Sequence, residues 1–407
     1  MNARATVERV ARDSSSRLIA FLAARSHDVA AAEDALADAF QAALTGWPAS
    51  GVPDKPEAWL LVAARRKLID AARHNQVRDE SVPTLIAVAD EAYDVASDST
   101  DFPDERLKLL FVCAHPAIDA AARTPLMLQT VLGLDAARIA SAFVTKPATM
   151  GQRLTRAKAK IRDARIAFEV PEVQELPDRL DSVLEAIYAA YGSGWDDVVG
   201  ADARRKGLAT EAIQLGRLLL QLMPAEPEVS GLLSLMLHCE ARRDARLDES
   251  GNYVPLSQQD TGRWAWPVIA EAHELLMDAE RAARMGCFQL EAAIQSVHTR
   301  RAVTGHTDWE EIALLYEGIV RLAPTLGARV GRAAAVAEAR GAANGWSMLE
   351  TIRDEKVAAY QPYWALAAHL HRSLGRTEDA RAAYSRAIGL CEEPATRKYL
   401  LGIASSV

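Results

Sequence analysis

Two glycines, Gly341 and Gly375, stand 34 residues apart, as do Ala334 and Ala368, and Glu350 and Tyr384. Self-similarity at this period is the mark of helix pairs stacked in series. The last unit reads Trp364, Ala367, Ala368, Gly375, Ala380, Tyr384 and Ala387, with Pro394 just beyond its second helix. The unit before it is looser. Tyr316 with Pro324 marks one more second helix, and Ala212 with Pro224 suggests another. Between them Asp244–Trp266 breaks the pattern, with a Gly251-Asn252 pair and two tryptophans, and reads as a long loop or inserted hairpin.

Helix is the expectation for the rest of the chain as well. Ala, Leu, Arg and Glu dominate its 407 residues, and β-branched runs are scarce. At roughly 100–200 residues per domain, this length implies two to four domains. Half of the residues are hydrophobic, so the domains can bury cores. Leu18, Phe21 and Leu22 share one helical face, and Ala35, Leu36, Ala39, Phe40 and Ala43 share another. The breakers Gly46, Pro48, Gly51 and Pro53 predict a loop, followed by a helix from about Pro56 to His74.

Charge is unevenly distributed. The net charge of -8 by itself argues against a nucleic-acid binder. Yet Lys146, Arg153, Arg156, Lys158, Lys160, Arg162 and Arg165 gather around the single acid Asp163, and Arg65, Arg66, Lys67, Arg73 and Arg78 around Asp70. Two positive patches in the N-terminal part of an acidic protein suit a partner rich in phosphate. Between them, residues 79–105 hold nine acids and no Lys or Arg. This stretch reads either as a solvated linker or as a mask for the basic surfaces on each side.

The sharpest motif lies at residues 133–162. Gly133-Leu134-Asp135 caps a short helix, Ala136 to Phe143, with Ile139, Ala140 and Phe143 on its apolar face. A turn over Val144–Ala148 leads into a second helix, in which Met150, Leu154, Ala157 and Ile161 recur at helical spacing. Gln152, Arg153, Arg156 and Lys160 fall elsewhere on that helix. This is a helix-turn-helix whose second helix suits the major groove. There Arg reads guanine edges, Gln reads adenine edges, and terminal Lys and Arg grip phosphate. A second motif is the helix in which Trp59, Val62, Arg66, Ile69 and Arg73 recur every three to four residues. Aromatic and cationic groups on one side of a helix suit unstacked bases, although a core Trp under surface arginines gives the same pattern.

Ala32 to Phe40, then Trp59 to Arg73, then the helix-turn-helix resemble, in that order, domains 2 and 4 of bacterial RNA polymerase sigma factors. The two-domain layout with an acidic linker is similar to the extracytoplasmic-function (ECF) class. Phe111 to Pro116, Pro147 to Leu154, Leu176-Pro177 with Arg179-Leu180, and the region after Gly207 resemble its subgroup with a C-terminal tetratricopeptide (TPR)-like extension.

The resemblance implies an all-α protein: a sigma domain 2 bundle at 1–78, an acidic linker at 79–104, a sigma domain 4 helix-turn-helix at 105–170, and a TPR-like domain at 178–407. It implies that Asp34, Asp38 and Phe40 lie in the helix that docks the β′ clamp of core RNA polymerase, with core packing an equal alternative for Phe40. Trp59, Arg65, Arg66, Lys67, Asp70 and Arg73 would face the −10 element, and the loop at 46–55 would cradle a flipped base. Thr149, Gln152, Arg153, Arg156 and Lys160 would meet the −35 element, with domain 4 on the β flap. The chain departs from the family pattern at Gly151, where a basic residue is common, and at Gly192-Ser193-Gly194-Trp195, where an Asn-Glu-Gly turn is expected.

The expected function is promoter-specific transcription initiation, with the C-terminal helices regulating it in cis and able to take a protein or peptide partner. The alternative is a non-sigma regulator or TPR scaffold tethered to DNA by its helix-turn-helix. Cys113 and His115 lack a second metal-binding pair nearby, and no phosphate-binding glycine motif occurs, so neither metal, cofactor nor enzyme activity is expected. The four dispersed cysteines, the charges at Arg4, Arg9, Arg12 and Asp13, and the lack of 18 consecutive apolar residues lead to the expectation of a cytoplasmic protein without a membrane span.

Overall fold

The computed structural model describes residues 2–75, 104–143, 145–172, 175–195 and 207–407. The acidic stretch up to residue 103 therefore lies outside the described residues, as does Val144. All regular structure among the described residues is helical, apart from one isolated antiparallel bridge. The chain divides into two compact units, residues 1–190 and 191–407.

The first unit opens with α1 (Ala3–Asp13), α2 (Ser15–Ser26), α3 (Val29–Ser50) and α4 (Pro56–Asn75). Side chains set the starts of α1 and α3. Asn2 accepts from the Arg4 amide at 3.1 Å, and Asp28 from the Ala31 amide at 3.0 Å, each satisfying a first-turn donor that the helix cannot. Leu18, Phe21, Leu36, Ala39 and Leu60 are buried. The predicted loop starts later than the breakers suggest, because α3 runs on through Gly46 and Pro48 to Ser50. Pro48 costs the helix one hydrogen bond, and the burial of Trp47 anchors the last turn. Gly51, at φ +88°, then turns the chain.

Next come α5 (Arg106–Cys113), α6 (Ala120–Thr130), α7 (Ala136–Ala142), α8 (Pro147–Asp163) and α9 (Pro177–Trp195). Arg106, almost wholly buried, is held by a forked pair to Asp104 at 2.7–3.1 Å. Burial works to raise the Asp104 pKa, but the guanidinium holds it below the usual carboxylate value. The first part of α9 packs with this unit: Arg179 donates to the Phe111 carbonyl at 3.5 Å, and Thr124 to Glu185 at 3.3 Å. The extension expected from residue 178 thus begins with a helix that helps to build the N-terminal unit. That helix includes Gly192-Ser193-Gly194-Trp195, the stretch at which the chain departs from the family pattern.

The second unit holds α10 (Leu208–Leu222), α11 (Pro227–Glu240), α12 (Trp266–Arg281), α13 (Cys287–Thr304), α14 (Trp309–Leu322), α15 (Leu326–Arg340), α16 (Ala342–Leu349), α17 (Gln361–Ser373), α18 (Thr377–Leu390) and α19 (Pro394–Ala404). Gly341 and Gly375 occupy equivalent places, the turns after α15 and α17, at φ +92° and +73°. Only a residue without Cβ takes this backbone freely, so the 34-residue spacing is a spacing of turns. The two units so marked are unequal, since α16 ends after 8 residues and α18 after 14. Ala367, Ala368, Ala383, Tyr384 and Ala387 share one buried cluster with Val330 and Ala333 of α15.

Candidate nucleic-acid interface

In α8 the structure separates two faces. Met150, Leu154, Ala157 and Ile161 are buried, and Thr149, Gln152, Arg156 and Lys160 are exposed. Pro147 enters the first turn, where its missing N–H costs nothing. Ahead of it, α7 is set by Asp135, which accepts from the Arg138 amide at 3.0 Å, and Ile139 and Ala140 face inward. Phe143 does not join them. It is 40% exposed, because α7 ends at Ala142 and the chain turns before another apolar position can be buried. Arg153 is half-buried and donates to the Ala121 carbonyl at 3.3 Å, so it braces α8 against α6. Arg156 lies along its own helix, donating to the Gln152 carbonyl at 3.4 Å.

Lys158 is the unforeseen member of this helix. Counted in sequence as one more cation of a basic patch, it instead meets Glu33 of α3 at 2.5 Å. No local pattern could reveal a pair separated by 125 residues.

On α3, Asp34 and Asp38 are exposed and Phe40 is half-buried. Asp38 reaches Lys67 of α4 at 3.5 Å. Along α4, Arg66, Lys67 and Asp70 are exposed, whereas Arg65 and Trp59 are half-buried. Arg73 lies on the same helix, with its side chain outside the described ones. The Trp59 ring meets that of Trp47 edge-on, at 5.4 Å between centroids and 68° between planes. Trp59 thus has a packing partner as well as a place beside cations.

A cavity of about 470 Å³ opens at the end of α3. It is lined by Leu44, Trp47, Pro48, Gly51 and Val52 and, from the start of α1, by Asn2 and Arg4. Trp47 is 3% exposed, and its indole N–H has no hydrogen-bond partner among the described residues. The resemblance implies a cradle for a flipped base in the loop at 46–55, and Gly51 and Val52 of that loop line this cavity. The contribution of α1 carries no local signal.

Cys113 and His115 each meet a different protein group. Burial pushes the Cys113 thiol up to about 12, and its sulfur lies 3.5 Å from the Thr130 hydroxyl. His115 Nδ1 accepts from the Ala117 amide at 3.1 Å. Among the described residues no group of three or more His, Cys, Asp or Glu could hold a metal ion, and no helix is long and apolar enough to cross a membrane.

Comparison with known proteins bears on both units. Residues 11–78 match the model of sigma-70 region 2, and residues 179–280 match a family of unknown function, DUF6596. The uncharacterized protein R00370 of Rhizobium meliloti (strain 1021) is 38% identical over 374 residues, which span 91% of this chain and 88% of that protein. This chain belongs to the R00370 family. A probable ECF RNA polymerase sigma factor SigI, found in two strains of Mycobacterium tuberculosis, is 30% identical over 152 residues, 36% of this chain and 51% of SigI. No solved structure matches the chain. A member of the R00370 family thus has a sigma-70 region 2 that covers α2, α3 and α4, and a second matched region that begins within α9.

Proposed function

We propose that this chain is an ECF-type sigma factor that binds core RNA polymerase and directs promoter-specific transcription initiation, with its C-terminal helices regulating it in cis. The observation that carries this reading is the sigma-70 region 2 match over the helices that present Asp34, Asp38, Arg66 and Lys67 to solvent. In this reading α3 docks the β′ clamp. Trp59, Arg65, Arg66, Lys67, Asp70 and Arg73 meet the −10 element once its bases are unstacked. The α7–α8 pair is a sigma domain 4 whose Thr149, Gln152, Arg156 and Lys160 meet the −35 element, while Arg153, braced on Ala121, contributes less to base readout than the others. Core polymerase supplies the chemistry, and this chain supplies recognition and melting.

The helix pairs of the second unit are TPR-like in spacing and offer a surface for a protein or peptide partner. Fusion to the DNA reader gives any contact between the two halves a high effective concentration, so weak coupling suffices for regulation.

The test is run-off transcription with purified core enzyme on a promoter library, alongside capture of core polymerase by the purified chain. Capture with promoter-dependent transcripts supports the sigma reading. DNA binding without capture or transcripts overturns it in favour of a tethered regulator. Regulation in cis is tested by truncation after Trp195, which keeps α9 with the unit it helps to build. Transcription and polymerase affinity unchanged from the full chain would rule regulation out.

A further inference from the structure

The second unit largely follows the rule of stacked repeats. Helices in substantial contact are neighbours in the chain or one removed, from α10–α11 to α18–α19. The insertion between α11 and α12 departs from that rule. Its tip is a small hairpin in which Leu247 and Tyr253 pair antiparallel and the Asp248 amide donates to the Asn252 carbonyl at 2.9 Å. Asp248 Oδ1 accepts from the amides of Ser250 at 2.9 Å and Asn252 at 2.8 Å, which sets the turn.

Each end of this insertion is held by a different helix. At one end, Arg301 of α13 donates to the carbonyls of Leu256, Ser257 and Gln259 at 3.0–3.1 Å, and its guanidinium lies 5.3 Å from the centroid of the buried Trp264 ring. At the other, the hairpin tip reaches the last helix. Lys398 of α19 donates to Asn252 Oδ1 at 2.6 Å, across 146 residues of sequence, and the rings of Tyr253 and Tyr399 meet at 5.4 Å. A cavity of about 350 Å³ opens beside this junction, lined by Tyr253, Lys398, Tyr399 and Ile403 among others.

We infer that residues 247–260 are a strap that closes this helical array on itself, so that its helix pairs open as one body. In an open array the terminal pairs are held only through their nearest neighbours, and they fray independently of the far end. A bridge from the α11–α13 region to α19 removes that freedom. The two attachments are unequal. Among the described residues, three carbonyl bonds hold the strap at α13, where Arg301 also lies over the Trp264 indole just beyond it, whereas one ammonium–amide bond and one ring pair link it to α19. The α19 end is therefore the releasable one, and its release frees the last helix pairs while the strap stays seated on α13.

Hydrogen exchange on the full chain tests this. In the wild type, the slowest amides of α17 and α18 should exchange through the same opening as those of α11 and α13, with the same denaturant slope. Lys398→Met combined with Tyr253→Ala should speed exchange in α17, α18 and α19 by about tenfold and leave α11 and α13 unchanged. Lys398→Arg, which keeps a donor, should behave as wild type. Independent opening of α17–α18 in the wild type, or unchanged protection in the double variant, overturns the strap. If the double variant loses its helical circular dichroism, Lys398→Met alone and the wild-type slopes decide the question.

Discussion

Lys158, on the helix expected to read DNA, donates to Glu33, on the helix expected to dock the polymerase, at 2.5 Å. The Lys158 side chain is 11% exposed and that of Glu33 26%. The pair joins α8 to α3 from the side opposite Arg156, so the exposed cations of α8 and the exposed acids of α3 stay free of it. α8 and α3 are thus cross-braced within one unit.

Removing one partner leaves the other half-buried and unpaired. Glu33→Gln and Lys158→Met should each destabilise the first unit by about 1–3 kcal/mol. The double variant should cost less than the sum of the two. Urea denaturation of the four proteins measures this, and strictly additive costs would mean that the pair contributes nothing.

Arg66 and Trp59 should differ as targets on α4. Arg66 is exposed, so Arg66→Ala should spare the fold and polymerase binding but impair open-complex formation. Trp59 packs on Trp47, so Trp59→Ala should in addition destabilise the bundle by about 3 kcal/mol. Permanganate footprinting with thermal melting separates the two effects. A normal bubble with Arg66→Ala would remove that residue from the −10 surface.

On α8, Arg156→Ala should weaken promoter binding by about 1–3 kcal/mol and relax specificity at one base position. Lys160→Ala should weaken all sequences alike and lower the salt slope by about one. Fluorescence anisotropy over a salt series on matched and mismatched −35 sequences distinguishes them. Equal, sequence-independent losses would contradict base reading by Arg156.

His238 of α11 should give the second unit a pH dependence. It is 1% exposed, and neither ring nitrogen has a hydrogen-bond partner among the described residues. Burial, aided by the charge of Arg242, depresses its pKa to about 3. The folded state therefore keeps this imidazole neutral while the unfolded chain takes up a proton below about pH 6.5. Stability is full above that pH and falls as the pH drops toward 3, by about 1 kcal/mol per unit from this residue. Denaturation of the wild type and of His238→Leu between pH 7 and pH 5 checks the sign. An equal pH slope in both would show that His238 does not carry the effect.

The sequence by itself determined the all-helical class, the inward face of α8 and the glycines 34 residues apart, but not α1. These depend on the helical period and on backbone sterics, which act over a few residues. It misjudged Gly46 and Pro48, because the burial of Trp47 outweighs two breakers at a helix end, and Phe143, because α7 stops before that position can turn inward. Only the tertiary structure decided that Lys158 belongs to Glu33, that Asn2 and Arg4 line the cavity beside Trp47, and that Asn252 meets Lys398. These join positions between 43 and 146 residues apart. Such pairs arise from how whole helices pack, and packing depends on the summed shape of many side chains, which no local pattern encodes.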